Sequence, residues 1–167
     1  HYLYNEGCEV LIGDEFDPTK GNILDFCNWV GIDLSSNADP KTKITIANNF
    51  ISNHKYATGI CVSEFGQPSN GGSYDKLAIS KNTMNHIGNG IKINNVAGWN
   101  DGYGGDGPTP HNGFFDSRAV IQNNEINYVT YWNPNYKGIQ TTRSNSLNIL
   151  YNKVTSDAPY DWRNCAI

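Results

Sequence analysis

Lys92 and Arg143 are the cations whose placement invites chemistry: Lys92 is the third residue of the short glycine start Gly90-Ile-Lys-Ile93, and Arg143 lies just beyond another, Gly138-Ile-Gln-Thr141. A Lys or Arg in such a place can hold a carboxylate or move a proton. His111 adds a group able to act as acid or base near neutral pH. Asp101 and Asp106, in Asn-Asp-Gly-Tyr-Gly-Gly-Asp-Gly107, are hard oxygen donors that could hold calcium together with backbone carbonyls. Trp99, Tyr103, Tyr131, Trp132 and Tyr136 present flat apolar rings, which stack on the C–H faces of sugars or pack loops over a core. Walling one groove, these five rings would suit an extended glycan.

These residues are useful only if a scaffold brings them together, and the scaffold is written as a repeat. Gly31-Ile-Asp-Leu34, Gly59-Ile-Cys-Val62 and Gly138-Ile-Gln-Thr141 copy Gly90-Ile-Lys-Ile93, with Gly7-Cys-Glu-Val10 a weaker copy and Ala166-Ile167 resembling the beginning of another. A second landmark, an asparagine with an apolar residue two positions on, falls between the starts at Asn22, Asn49, Asn82, Asn124 and Asn152. Four of the five are preceded by an alternating apolar segment, Ile44-Thr-Ile46, Leu77-Ala-Ile79, Ala119-Val-Ile121 and Leu147-Asn-Ile149; on this reading the first unit lacks one. Periods of roughly 20 to 50 residues mark solenoids, and period-two alternation marks strands. A unit of three short strands must bury its apolar face on its neighbours, so parallel stacking at about 4.8 Å per rung follows.

The order Gly-Ile-x-apolar, variable loop, apolar-x-apolar, x-x-Asn-x-apolar resembles the right-handed parallel β-helix of the pectate-lyase-like superfamily. The resemblance covers nearly the whole chain and implies an all-β solenoid of about five coils, residues 1–167 forming one domain. In that family the three strands of a coil are PB1, PB2 and PB3, and an asparagine ladder fills the tight turn between the second and third. Asn22, Asn49, Asn82, Asn124 and Asn152 match that ladder one by one. The physics agrees, because Asn suits sharp turns and stacked amides can bond rung to rung. Right-handed crossovers are the rule between parallel strands.

Side chains alternate along a strand, so the third residue of each glycine start faces out and stacking gives an external column of Glu9, Asp33, Cys61, Lys92 and Gln140. Polysaccharide lyases of this fold work on the PB1 face: they neutralise a uronate carboxylate, remove the C5 proton and expel the 4-linked oxygen. The resemblance therefore implies Lys92 as the base, Arg143 as the group that meets the carboxylate and His111 as the alternative proton carrier. The chain carries no paired-Asp cluster of the polygalacturonase type and no Asp-Pro-His of the mannuronan epimerase type.

The fourth coil, residues 90–137, is much longer than the roughly two dozen residues a coil needs. Its insert, Val96 to Asp116, holds Trp99, Tyr103 and His111, and loops of such length are usually functional or disordered. Asp14, Glu15 and Asp17 form an acidic loop in the first coil that is either solvated or gathers a hard cation. Cys8, Cys27, Cys61 and Cys165 permit two bridges, Cys8 with Cys27 being the first pair to test, while burial as a small apolar residue explains Cys8 equally well.

Twelve Lys and Arg against sixteen Asp and Glu give a mildly acidic chain, which argues against nucleic acid as a partner. No apolar run approaches the roughly 20 residues that cross a bilayer. The 24 asparagines, with Gly, aromatics and only 17% charge, suit a secreted or cell-surface β-solenoid. Opening near a strand start and stopping at Ala166-Ile167, the chain is expected to belong to a longer solenoid, or to stack further coils or another chain at one end. Two functions are open: a carbohydrate-active protein, most simply a lyase on an acidic polysaccharide, and a non-catalytic structural segment of a surface fibre, adhesin or viral spike.

Overall fold

The computed structural model describes residues 9–26, 28–35, 43–53, 56–63, 77–94, 119–128, 137–142 and 147–156. They form a parallel β-helix of three sheets. The first sheet runs β1 (Glu9–Gly13), β4 (Lys43–Ala47), β7 (Leu77–Ser80), β10 (Ala119–Gln122), β13 (Leu147–Leu150). The second runs β2 (Ile23–Asp25), β5 (Phe50–Ser52), β8 (Thr83–Ile87), β11 (Glu125–Tyr128), β14 (Lys153–Ser156). The third, made of the glycine starts, runs β3 (Val30–Ser35), β6 (Thr58–Ser63), β9 (Asn89–Asn94), β12 (Ile139–Thr142). Every pairing is parallel. The single helical element among the described residues is a 3-10 turn at Pro18–Lys20, and no helix is long and apolar enough to cross a membrane.

Alternation drives this arrangement. Ile46, Ile79 and Ile121 stack inward in one column, Ile51, Met84 and Ile126 in a second, and Ile60, Ile91 and Ile139 in a third, all with no exposed surface. Each such side chain contributes about 1.5–3 kcal/mol by leaving water, and β-branched Ile fits the pleat. The fit loosens toward both ends: Val10, Ile12 and Leu24 in the first coil and Leu147, Ile149 and Val154 in the last are only half-buried.

The predicted ladder is present. Asn22 Nδ2 donates to Asn49 Oδ1 at 2.9 Å, Asn49 to Asn82 at 2.9 Å, Asn82 to Asn124 at 3.0 Å and Asn124 to Asn152 at 2.8 Å. Each acceptor oxygen also takes the backbone N–H of the preceding ladder residue, at 3.0–3.1 Å. The left-handed residue of the turn is not the ladder asparagine but the one before it: Asn48, Lys81, Asn123 and Tyr151, with φ of 55–57°. That division frees the ladder side chain to point inward while its neighbour absorbs the sharp bend.

Two sequence expectations fail in the first coil. Val10-Leu-Ile12 is the alternating segment that this unit was expected to lack: it lies in register with Ile44-Thr-Ile46. Glu9 consequently sits against Lys43 in the first sheet, with which it forms an ion pair, and not in the external column of the third. The misreading comes from Gly7, which imitates a glycine start just where the alternating segment begins.

The acidic loop is structural in its local bonding. Asp14 Oδ1 accepts the N–H groups of Phe16 and Asp17 at 2.8 and 2.9 Å, and Asp17 Oδ1 accepts the N–H and hydroxyl of Thr19 at 2.9 and 2.6 Å. These bonds favour the anions and hold both carboxyls below their ordinary 3.8. Among the described residues no group of His, Cys, Asp and Glu is arranged to hold a metal ion.

Candidate functional site

The third sheet presents the expected external column, less Glu9: Asp33 pairs with Cys61, Cys61 with Lys92 and Lys92 with Gln140 in strict register. Neighbouring strands are about 4.8 Å apart, so this is a ladder of four different groups at roughly one-sugar spacing or slightly less. Ser63, Asn94 and Thr142 form a second column two residues on. Gly31-Ile-Asp-Leu34, Gly59-Ile-Cys-Val62 and Gly90-Ile-Lys-Ile93 build this face the same way, two apolar positions turned inward and the residue between them projecting out, whereas in Gly138-Ile-Gln-Thr141 only Ile139 is buried and Thr141 is exposed.

Lys92 is exposed and has neither an ion pair nor a hydrogen bond among the described residues. Other lysines differ: Lys20 pairs with Asp17 at 3.2 Å, Lys43 with Glu9, Lys153 with Glu125, and Lys81 donates to the Glu15 carbonyl at 3.1 Å. Its neighbours in the column, Cys61 and Gln140, bring no carboxylate, and Asp33 is two rungs away.

Cys61 is a free thiol, half-buried between Asp33 and Lys92. Burial pushes it above its ordinary 9.0, Asp33 pushes it further, and Lys92 offsets part of the rise. A thiol held up in this way is not a nucleophile at neutral pH. The causes give an ordered test: Asp33→Asn should lower the pH midpoint for alkylation of Cys61, and Lys92→Ala should raise it, read by mass mapping of the Cys61 peptide. The reverse order would show that the column is not arranged as described.

The other candidate groups fall outside the described residues: Arg143, His111, the rings Trp99, Tyr103, Tyr131, Trp132 and Tyr136, and Asp101 and Asp106. So does the Cys8–Cys27 pair.

One surface escaped the sequence reading. Ile23 and Phe50 pair on the outer face of the second sheet, and Phe26, Trp29 and Tyr56 are exposed around the bends that lead from it to the third. Ile23 is 80% and Trp29 83% exposed. The available signal was the apolar residue at the outward x of Asn-x-apolar, where other coils carry Thr83, Glu125 and Lys153.

No protein-family model matches the chain, and neither does any curated protein or solved structure.

Proposed function

We propose that the chain is a carbohydrate-active β-helix protein, related in kind to the pectate-lyase-like superfamily, that lays an acidic polysaccharide along the face of β3, β6, β9 and β12. The observation that carries this reading is Lys92: an exposed lysine in mid-sheet with no partner among the described residues, open to a substrate from outside the chain. Sugar rings lying along the column meet Lys92 beside an uncharged amide and a neutral thiol, so no acidic group of the immediate column repels the uronate.

The reaction that fits is β-elimination. A base takes the C5 proton of a uronate, the electron pair forms the C4–C5 double bond, the C4–O bond breaks, and the departing oxygen gains a proton. Lys92 is assigned to the base, Arg143 to the carboxylate and His111 to the alternative proton transfer. Trp99, Tyr103, Tyr131, Trp132 and Tyr136 would line the groove, Asp101 and Asp106 would hold calcium when it is bound, and the protein would act outside the cell.

The test is the ultraviolet absorbance of unsaturated uronate released from pectate, alginate or a glycosaminoglycan. Lys92→Ala should lower turnover by about 10²-fold or more, the ordinary size of an acid–base contribution, with unfolding unchanged because the side chain is exposed. No product from any acidic glycan, or full activity in Lys92→Ala, removes the assignment.

A further inference from the structure

The four strands of the third sheet carry one anion and one cation between them, Asp33 on β3 and Lys92 on β9, with Cys61 and Gln140 the other members of the same outward column. Both charged side chains are exposed, and among the described residues neither has a hydrogen-bond or ion-pair partner. Two rungs separate them, which is roughly 10 Å at about 4.8 Å per rung. At that distance they cannot pair directly, so each meets separately whatever lies along the column.

A sugar chain laid along the column puts about one ring on each rung, and the ring two places from the one on Lys92 then falls on Asp33. In an extended chain with two-fold symmetry, successive rings turn their substituents to opposite sides, and the ring two places on turns the same side to the protein. A polymer with a carboxylate on every ring, or on every second ring, therefore sets one carboxylate on Lys92 and another against Asp33. Two like charges about 5 Å apart cost about fourfold in binding in water, and more where the groove excludes water. A neutral ring in the same place offers hydroxyls, which donate to the Asp33 carboxylate in charge-assisted bonds.

We propose that Asp33 determines specificity on this face, selecting a glycan in which the uronate held by Lys92 is followed, two rings away, by an uncharged sugar. The substrate class is then an acidic polysaccharide of sparse charge, such as a partly esterified uronan, in preference to a fully ionised one. Lys92 sets where a carboxylate must lie and Asp33 where one must not, the repulsive half of specificity. The inference rests on the reading of the third sheet as a glycan face and narrows the substrate of that face.

The test compares dissociation constants, by calorimetry at low salt, for fully de-esterified polygalacturonate and for a partly methyl-esterified sample of the same polymer. The ratio of the two constants is the readout, because differences between the polymers that do not involve Asp33 cancel when variants are compared. Asp33→Asn should move the ratio about fourfold toward the de-esterified polymer, and Asp33→Lys should move it further in the same direction. Both shifts should fade between about 0.01 M and about 1 M salt, as the screening length contracts from about 30 Å to about 3 Å. Loss of folded protein would lower binding of both polymers alike and leave the ratio where it was.

Lys92→Ala separates the two levels of the argument, since it should weaken binding of both polymers. If neither polymer binds the wild type, the glycan reading fails and this inference fails with it. If both bind and Lys92→Ala weakens them, yet the ratio is the same in the wild type, Asp33→Asn and Asp33→Lys, the glycan face stands and the role of Asp33 is overturned.

Discussion

Asn82→Ala should lower the free energy of unfolding by about 3–5 kcal/mol, several times the loss in Asn22→Ala. Asn82 is fully buried, and its amide serves five groups. Its oxygen accepts the N–H and side-chain amide of Asn49 at 3.0 and 2.9 Å. Its nitrogen donates to Asn124 Oδ1 at 3.0 Å, to the Ile46 carbonyl at 2.9 Å and to the Ser80 carbonyl at 3.1 Å.

A truncation removes one side chain and strands groups on three rungs. A buried polar group left without a partner costs about 1–3 kcal/mol; the Asn49 N–H loses its acceptor outright, while Asn49 Nδ2 keeps the Ile12 and Ala47 carbonyls. Asn22 is exposed, gives only one rung its amide, and has water as a substitute. Urea unfolding of the two variants separates these cases. Equal losses, or a loss below about 1 kcal/mol at Asn82, would mean that the ladder follows the turn rather than holding it.

The ladder was legible because it satisfies two periodic constraints at once, a fixed place after the alternating segment and an apolar residue two positions later. Asn124 and Asn152 obey both although the spacings along the ladder vary, with steps of 27, 33, 42 and 28 residues. Loop length does not disturb a solenoid, since each connection leaves the stack and returns to it. The first coil failed for the opposite reason. Gly7 met one constraint by accident, and the real signal, Val10-Leu-Ile12, was too short to outweigh a glycine.

The candidate site was legible only as far as the repeat reached. Asp33, Cys61, Lys92 and Gln140 fell into register because alternation dictates which residue faces out. His111 and the rings around it sit in an insert without period, where neither alternation nor stacking fixes a position. What the repeat could not give was the electrostatics of the column. The Cys61 thiol is raised by burial and by Asp33 more than Lys92 lowers it, a balance that depends on depth in the sheet and not on residue type.

Gly90→Ala should cost about 3 kcal/mol or more, because a methyl at that position has nowhere to go. Its Cβ would lie 2.2 Å from the Gly138 carbonyl oxygen and 2.6 Å from Ile126 Cγ2. That oxygen accepts the Ile91 N–H at 2.9 Å, so the clash falls on a ladder bond between β9 and β12. Replacing glycine also removes freedom from the unfolded chain, a gain of about 0.4–1 kcal/mol, but overpacking against backbone costs typically 1–3 kcal/mol and more where a hydrogen bond breaks. The steric loss wins. Gly59→Ala is the control: its Cβ would meet Met84 Sδ at 2.8 Å, the flexible end of a side chain, with the Gly90 carbonyl at 3.0 Å. Met yields where backbone does not, so about 1–2 kcal/mol is expected there. Gly21 shows a still closer approach to backbone, 1.6 Å from the Asn48 carbonyl oxygen, so Gly21→Ala should also be costly. Thermal unfolding of the three variants should rank Gly90 well below Gly59. The displacement at Gly90 also reaches Lys92 two residues on, so any glycan binding by the third sheet should weaken in Gly90→Ala while the Asn82 N–H bond to Asn124, on another face, persists. If Gly90→Ala unfolds like the wild type, the coils are not packed as closely at the glycine starts as the fold requires.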